Sequence, residues 1–478
     1  MNILFLMCDQ LRADHVGWHA LSKCETPQLD RLASQGTVFD RCTSVSPVCT
    51  PARCGVLTGK YPHQLSMLRM SGDLSPQHPT YARALQEAGY YTAGIGKFHW
   101  LQTWPWSRSR GAGLDLASMH EEFKAFGFDE VWEATGKQLV VKNRCDWAVA
   151  LEEQGLLEGV RDFVEAEGPN SNFAKDVKFT GKAWPFPSEL YSDVVTTDKA
   201  VEVLRTRPDD HPFMLFASLC SPHAPFDPPA EYLEKEPYLE VDDFRGKGAD
   251  LDAETKQRMY RLRRSYKAMV RLVDDQVGRL LDELEAQNLM ENTLIVFTSD
   301  HGEMLGDHAR FQKSSWYKES ATVPLVIRHP QDLQARRIKS PVELTDITAT
   351  ILDAAGVDPQ AALSKRWPAF HDRVPCKSLL PLVTGQTDRL RDFVFSEYET
   401  WSMIETEEWK YIREKGSEDP SRPHERLFHV SEDPEETQNV IMDPAFKEVL
   451  DLARLRLAWV LDETPAAQTT WATLMPEG

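Results

Sequence analysis

The chain has 478 residues, 41% hydrophobic and 27% charged, the balance of an ordinary globular protein of two or three domains and not of a disordered or fibrous one. A formal charge of −20, with no basic run interleaved with aromatics, excludes nucleic acid as an expected partner and means that an anionic substrate needs a locally positive pocket. No apolar run reaches the roughly 18 residues of a membrane span, so no membrane is expected as a partner. Met1 to Met7 lack the basic start and cleavage site of a signal peptide, so the expected location is cytoplasmic.

Ile3 to Met7 is a continuous apolar run, the pattern of a strand covered on both faces of a parallel sheet, and it stops at Asp9-Gln10. The segment 45-VSPVCTPARCGVLTG-59 follows, where a loop turns into a helix: Thr50 is expected to cap it, Pro51 suits its first turn, and Arg53 adds a forked cation beside Cys49. A helix-like stretch from Thr80 to Ala88, stopped by Gly89, leads to a second run, Tyr90 to Ile95, which gives way to 96-GKFHW-100. A third run, 213-FMLFASL-219, breaks at 221-SPHAPF-226, where two prolines leave His223 in a loop. A long amphipathic helix, with Tyr266, Val270, Val273, Val277, Leu280 and Leu284 at helical spacing, precedes a fourth run, 294-LIVFTS-299, which ends at Asp300-His301-Gly302.

Strands alternating with helices read as an α/β fold with a large, mostly parallel sheet sandwiched by helices, and in such folds ligands gather at the carboxyl ends of the strands. Four strands deliver ionisable residues to that edge. Residues 355 to 390 are rich in Pro, Asp and Gly, and 393-FVFSEY-398, 400-TWSMIET-406 and 409-WKYIRE-414 then follow at hairpin spacing before a terminal helix from about Pro444 to Val460. This gives a catalytic domain over 1–375 and a smaller C-terminal α+β subdomain with an antiparallel sheet over 376–478.

Asp9 and Gln10, with Asp300 and His301, offer three oxygen donors and one imidazole, a set suited to Ca²⁺, Mg²⁺ or Mn²⁺ and not to zinc; the plainer reading is a pair of turn-capping carboxylates. The eight cysteines show no CxxC pairing, so reduced and mostly buried thiols are expected. For Cys49 an inert packed thiol is the default, which the helix start and Arg53 shift towards reactivity. Lys97, His99, His223 and Lys313 are solvated or satisfied side chains unless they share a pocket with Arg53 and a metal, where they would bind sulfate or phosphate and handle protons.

In this order these residues resemble the type I sulfatases of the alkaline phosphatase superfamily. The resemblance covers nearly the whole chain: 26-TPQLDRLASQGTVFDRC-42, the C-x-P-x-R signature 49-CTPAR-53, 58-TGKYPHQ-64, 96-GKFH-99, 221-SPHAPF-226, 299-SDHGEMLGDHARFQKSSWYKESATVPLVI-327 and 426-RLFHVSEDPEETQNV-440. It implies an alkaline phosphatase-like fold and a sulfuric ester hydrolase whose Cys49 is converted by a formylglycine-generating maturation enzyme to Cα-formylglycine. It implies one divalent ion, Ca²⁺ first with Mn²⁺ or Mg²⁺ as alternatives, held by Asp9, Gln10, Asp300, His301 and the modified Cys49. Arg53 would hold the diol, Lys97 and His99 would contact sulfate with His99 as base, and His223 with Lys313 would bind sulfate and protonate the departing oxygen. The expected substrate is a small-molecule or carbohydrate sulfate ester, and the family often forms homo-oligomers.

The sequence departs from the family pattern at Gln10, where many members have Asp, at His301, where Asn is common, and at Ala52 and Cys54, where Ser and Ala are common. The Asp-Gln and Asp-His pairs also resemble the phosphonate monoester hydrolase branch, whereas 96-GKFH-99 keeps the sulfatase lysine and histidine. A phosphonate monoester or phosphodiester hydrolase is therefore the alternative, and a non-catalytic binding protein on the same fold is the alternative of another class. Specificity is expected from Leu101 to Lys182 and its surroundings, where Trp104, Trp106, Arg108, Arg110, Trp132 and Trp184 are candidate pocket residues, although core is the expectation for most of the tryptophans.

Overall fold

The computed structural model describes residues 1–22, 24–101, 113–167, 181–364, 374–415 and 424–461. The four apolar runs form strands of one sheet, which contains β1 (Asn2–Cys8), β2 (Thr37–Thr43), β3 (Tyr91–Gly96), β4 (Glu130–Glu133), β5 (Phe213–Ser218), β6 (Thr293–Ser299), β7 (Thr322–Arg328), β8 (Arg336–Ile338) and β9 (Val342–Glu343). The strand order is β4-β3-β5-β1-β6-β7-β2-β8, with β9 also on β2. All pairings are parallel except those of β7 with β6 and with β2.

Register explains why four distant segments meet. Gly96 of β3 and Met7 of β1 both lie opposite Ser218 of β5, and Cys8 lies opposite Ser299 of β6. The next residues of each strand, Lys97, Asp9 and Asp300, therefore emerge side by side. Gly96 permits this: at φ 106° it lies so close to Ser218 that an added Cβ would stand 1.9 Å from the Ser218 carbonyl oxygen.

β1 is buried along its length because both faces are covered. Ile3, Phe5 and Met7 enter one core, beneath helices that include Cys49–Thr58, Tyr81–Glu87 and Asp346–Ala354. Leu4, Leu6 and Cys8 enter the other, beneath Ser192–Thr206 and the long helix Ala253–Ala286. That helix starts where Asp252 accepts a hydrogen bond from Thr255 N at 2.9 Å, and each of its buried leucines and valines contributes about 1.5–3 kcal/mol by leaving water.

A second sheet is antiparallel and joins β10 (Val394–Tyr398), β11 (Trp401–Glu405), β12 (Trp409–Glu414) and β13 (Glu425–His429) in sequence order. The last of these was not read from the sequence as a strand. Phe395, Ile404, Tyr411 and Leu427 pack under the terminal helix Lys447–Val460 together with Val45 and Tyr61 of the N-terminal region. The opposite side chains, Trp401, Met403, Ile412 and Phe428, pack on Trp316 and Ala321. The small sheet is thus clamped onto the segments just before Cys49 and just after Lys313.

Candidate active site

Cys49 opens the helix Cys49–Thr58 and is fully buried. The structure corrects the expected cap: Val48 is the N-cap, Ala52 N donates to Val48 O at 3.1 Å, and Thr50 lies inside the first turn without capping it. The helix begins two residues earlier than a Thr50 cap would allow, so the thiol sits on its first residue. Around Cys49 Sγ stand Lys313 Nζ at 2.9 Å, His301 Nε2 at 3.1 Å, the two Asp9 carboxylate oxygens at 3.7 and 3.9 Å, and Lys97 Nζ at 3.9 Å. Burial and Asp9 push the thiol pKa up, but Lys313, Lys97 and His301 outweigh them and it lies below the ordinary value.

The acids are held by cations. Lys97 Nζ donates to Asp9, and Arg53 Nε donates to Asp300 Oδ2 at 2.8 Å. Arg53 Nη1 also donates to Lys97 O and Ser218 Oγ, each at 2.7 Å, while Nη2, 3.9 Å from Asp9 Oδ2, is buried without a hydrogen-bond partner among the described residues. Burial alone would raise the Asp9 pKa, but Lys97, His223, Lys313 and Arg53 hold it well below the carboxylate range. Gln10 adopts φ 67°, a conformation uncommon outside glycine, in which its N–H donates to Asp300 Oδ1 at 3.0 Å. Its amide oxygen accepts from Lys313 Nζ at 3.1 Å.

Three imidazoles have their tautomers set by backbone carbonyls, which only accept. His301 Nδ1–H donates to Gly302 O at 2.9 Å, which turns Nε2 towards Cys49 and Asp9. His223 Nδ1–H donates to Ala224 O at 2.7 Å, so its Nε2 accepts from Lys313 Nζ at 2.8 Å. His99 Nε2–H donates to Thr135 O at 2.8 Å and leaves Nδ1 as a buried acceptor without a hydrogen-bond partner among the described residues. Burial, reinforced by Lys97 and Arg53 for His99 and by Lys313 for His223, keeps both well below the ordinary histidine pKa and neutral. For His301 burial is overcome chiefly by Asp300, and its pKa rises.

One ligand atom from each of Asp9, Cys49, Asp300 and His301 falls within 4.8 Å of the others, compact enough to surround one ion. The anionic oxygens and the imidazole suit a hard divalent cation. The residues therefore fit a metal, and Gln10 Oε1 shares the Lys313 ammonium with Cys49 Sγ.

Every expected site residue lies at this edge of the sheet. Asp9, Gln10, Cys49, Arg53, Lys97, His223, Asp300, His301 and Lys313 form a continuous chain of contacts; His99 is joined to it through the field of Lys97, Arg53 and Asp9. Sequence reasoning missed the supports. Ser218 and Thr135 hold Arg53 and His99, and Gly136 lies beside Lys97, where an added Cβ would stand 3.3 Å from Nζ. Asp193 fastens the His223 loop by accepting from Cys220 N at 2.5 Å and Ser221 N at 3.1 Å. Glu303, two residues after His301, was visible as an acid inside a motif but was not singled out. Trp184 is core, packed against Trp147, Phe186 and Tyr191, and Trp132 is half-buried on β4. Trp104, Trp106, Arg108 and Arg110 lie outside the described residues. All eight cysteines are free and buried, and among the described residues no helix is long and apolar enough to cross a membrane.

A mostly parallel sheet with an acid–thiol–imidazole cluster at its carboxyl edge, and a small antiparallel sheet beside it, defines an alkaline phosphatase-like hydrolase. Comparison with known proteins narrows the class. The sulfatase family model matches residues 1–357, and the model of the C-terminal part of N-sulphoglucosamine sulphohydrolase matches residues 306–461. The chain belongs to the sulfatase family. It is 26% identical to an arylsulfatase of Clostridium perfringens, covering 95% of this chain and 92% of that one. It is 29% identical to an N-acetylglucosamine-6-O-sulfatase of Bacteroides thetaiotaomicron over 75% of this chain and 68% of that one. Among solved structures, a phosphonate monoester hydrolase of Silicibacter pomeroyi superposes with a TM-score of 0.74 at 25% identity, covering 96% of this chain and 94% of that one.

Proposed function

We propose that this protein hydrolyses the sulfate ester of a small molecule or carbohydrate, using formylglycine made from Cys49 and one divalent ion held by Asp9, Gln10, Asp300, His301 and residue 49. The observation that carries the proposal is the setting of Cys49, a fully buried thiol with three acidic or imidazole ligands on one side and two lysine ammonium groups within 3.9 Å. Hydrated formylglycine supplies a hydroxyl nucleophile and the ion lowers that hydroxyl's pKa.

The remaining work falls to the chain's own side chains. Lys97 and Lys313 converge on the point where the anion must sit, and their charges offset the developing charge on the sulfuryl oxygens. Because His223 commits its Nδ1 proton to Ala224, Lys313 is the proton-bearing member of that pair and delivers a proton to the departing alkoxide. His99, neutral and with a free Nδ1, accepts the proton that must leave residue 49 when sulfate departs. Arg53 braces Asp300 and the Lys97 backbone so that the acids and the lysine keep their spacing.

A second reading, a phosphonate monoester hydrolase, is supported by the likeness to the Silicibacter pomeroyi enzyme and by the Gln10 and His301 substitutions. The presence of Lys97 against Asp9 and of His99 beside them favours sulfate. Co-expression with a formylglycine-generating enzyme, followed by turnover of an aryl sulfate and an aryl phosphonate, tests the choice. The sulfate is expected to show the higher kcat/KM; a large preference for the phosphonate reverses the assignment.

A further inference from the structure

Gln10 carries an amide where an acid would give the ion a stronger ligand, and an amide serves only if its oxygen faces inward. Nothing in the Gln10 side chain decides that orientation, because the two ends of an amide have the same shape and opposite hydrogen-bonding character. The neighbour that decides it is Glu303, which is buried against the Gln10 amide. Glu303 Oε1 accepts from two backbone N–H groups of its own loop, Leu305 N at 3.1 Å and Gln312 N at 2.5 Å. Glu303 Oε2 accepts from Gln10 Nε2. A carboxylate facing an amide can only receive, so the NH₂ end is drawn to Glu303 and Oε1 is turned to the opposite side, where it accepts from Lys313 Nζ at 3.1 Å. The same acid pins Gln312, the residue before Lys313, so one side chain sets both the ligand and the lysine that meets it.

We infer that Glu303 is a positioning residue that fixes the Gln10 amide with its oxygen towards the metal-binding acids, and that residues 10 and 303 form a matched pair in which one must be an amide and the other a carboxylate. This rests on the proposal that a divalent ion binds at Asp9, Gln10, Asp300 and His301. The pairing explains why an acid at position 10 does not suit this chain: two buried carboxylates would face each other across a hydrogen-bond distance, a cost that one shared proton or a displaced loop would have to relieve. It also makes the reversed pair workable. In Q10E/E303Q the new glutamine at 303 keeps both backbone N–H bonds on its oxygen and donates its NH₂ to the new carboxylate at 10, which still presents one oxygen inward.

The test is calorimetric titration of the full-length protein with Ca²⁺ and, separately, Mn²⁺, with circular dichroism to verify folding. Wild type is expected to bind one ion, and E303Q, in which two NH₂ groups oppose each other and Gln10 must flip, is expected to bind it about 10- to 100-fold more weakly. Q10E alone should be similarly impaired, and Q10E/E303Q should return to the wild-type range or tighter. Binding by E303Q or Q10E as tight as wild type overturns the matched pair while leaving the metal site standing; a wild type that binds neither ion overturns the metal site itself. If a single variant does not fold, the double variant decides: a folded protein that binds the ion supports the pairing, and an unfolded or non-binding one overturns it.

Discussion

Two buried ionic clusters are built with opposite imbalance. At the strand edge, Arg53, Lys97 and Lys313 face two carboxylates, Asp9 and Asp300, so cations outnumber them, and Arg53 Nη2, 3.9 Å from Asp9 Oδ2, and His99 Nδ1 have no hydrogen-bond partner among the described residues. Where the small sheet meets the main one, a single guanidinium, Arg391, bridges Glu343 at 3.0 Å and Asp346, while Tyr61 OH and Phe395 N donate to Glu343 and Lys377 N donates to Asp346. There acids are in excess, and burial with the help of Asp346 outweighs Arg391 and lifts Glu343 to about 7. Both clusters are buried and both are ionic. The first has room in its charge balance for an arriving anion; the second is closed on itself and fastens one sheet to the other.

The largest expected effect separates them cleanly. Cys49→Ala should lower sulfate ester hydrolysis by about 10⁴- to 10⁶-fold, since on the proposed mechanism residue 49 carries the nucleophile, and should shift the urea midpoint far less than it shifts the rate. A mutant that retains activity would return Cys49 to the status of a packed thiol. Lys313→Ala should cost about 10²- to 10⁴-fold in kcat, with a smaller loss for an aryl sulfate whose leaving group needs no proton. Equal losses across leaving groups would remove Lys313 from the proton path. Arg391→Met should reverse the pattern: about 3–5 kcal/mol of unfolding free energy is lost in a urea titration because two buried carboxyls lose their counter-ion, while kcat of the surviving folded fraction stays near wild type. The smallest effect is one of pH. Glu343 titrates near 7 in the folded chain and at an ordinary 4.5 when unfolded, so the folded form holds its proton more tightly. The stability this carboxyl contributes is full below about pH 4.5 and is lost as pH rises through about 7. Glu343→Gln should therefore show a flatter fall in stability across that window than wild type, and identical slopes would dismiss Glu343 as its source.

The same contrast explains what was legible in the sequence. Continuous apolar runs announced β1, β3, β5 and β6 because burial on both faces leaves no room for alternation, and abrupt polar stops marked where their side chains enter the site. β13 escaped because 425-ERLFH-429 opens with two charged residues, and its burial rests on Leu427 and Phe428 alone. The groups that touch the anion are recognisable by type and order. Those that orient them are not: Asp193 sits in the first turn of the helix Ser192–Thr206, Ser218 ends a strand, and Glu303 reaches Gln10 across 293 positions of chain, a pairing that the register of β1 against β6 creates. The Thr50 cap failed for a local reason, since the helix propagates two residues further back when Val48 O can accept from Ala52 N.

Cys49 is wholly enclosed, with Lys313, His301, Asp9 and Lys97 against its sulfur and a helix behind it. No second protein can grip that sulfur without dismantling the cluster around it. Any enzyme that rewrites this side chain must therefore meet it as nascent or unfolded polypeptide, before β1, β5 and β6 close. If residue 49 is matured as proposed, the fraction of active molecules would be set by a race between modification and folding in the cell that makes the protein, and later incubation of the folded chain with the same enzyme would have nothing left to reach.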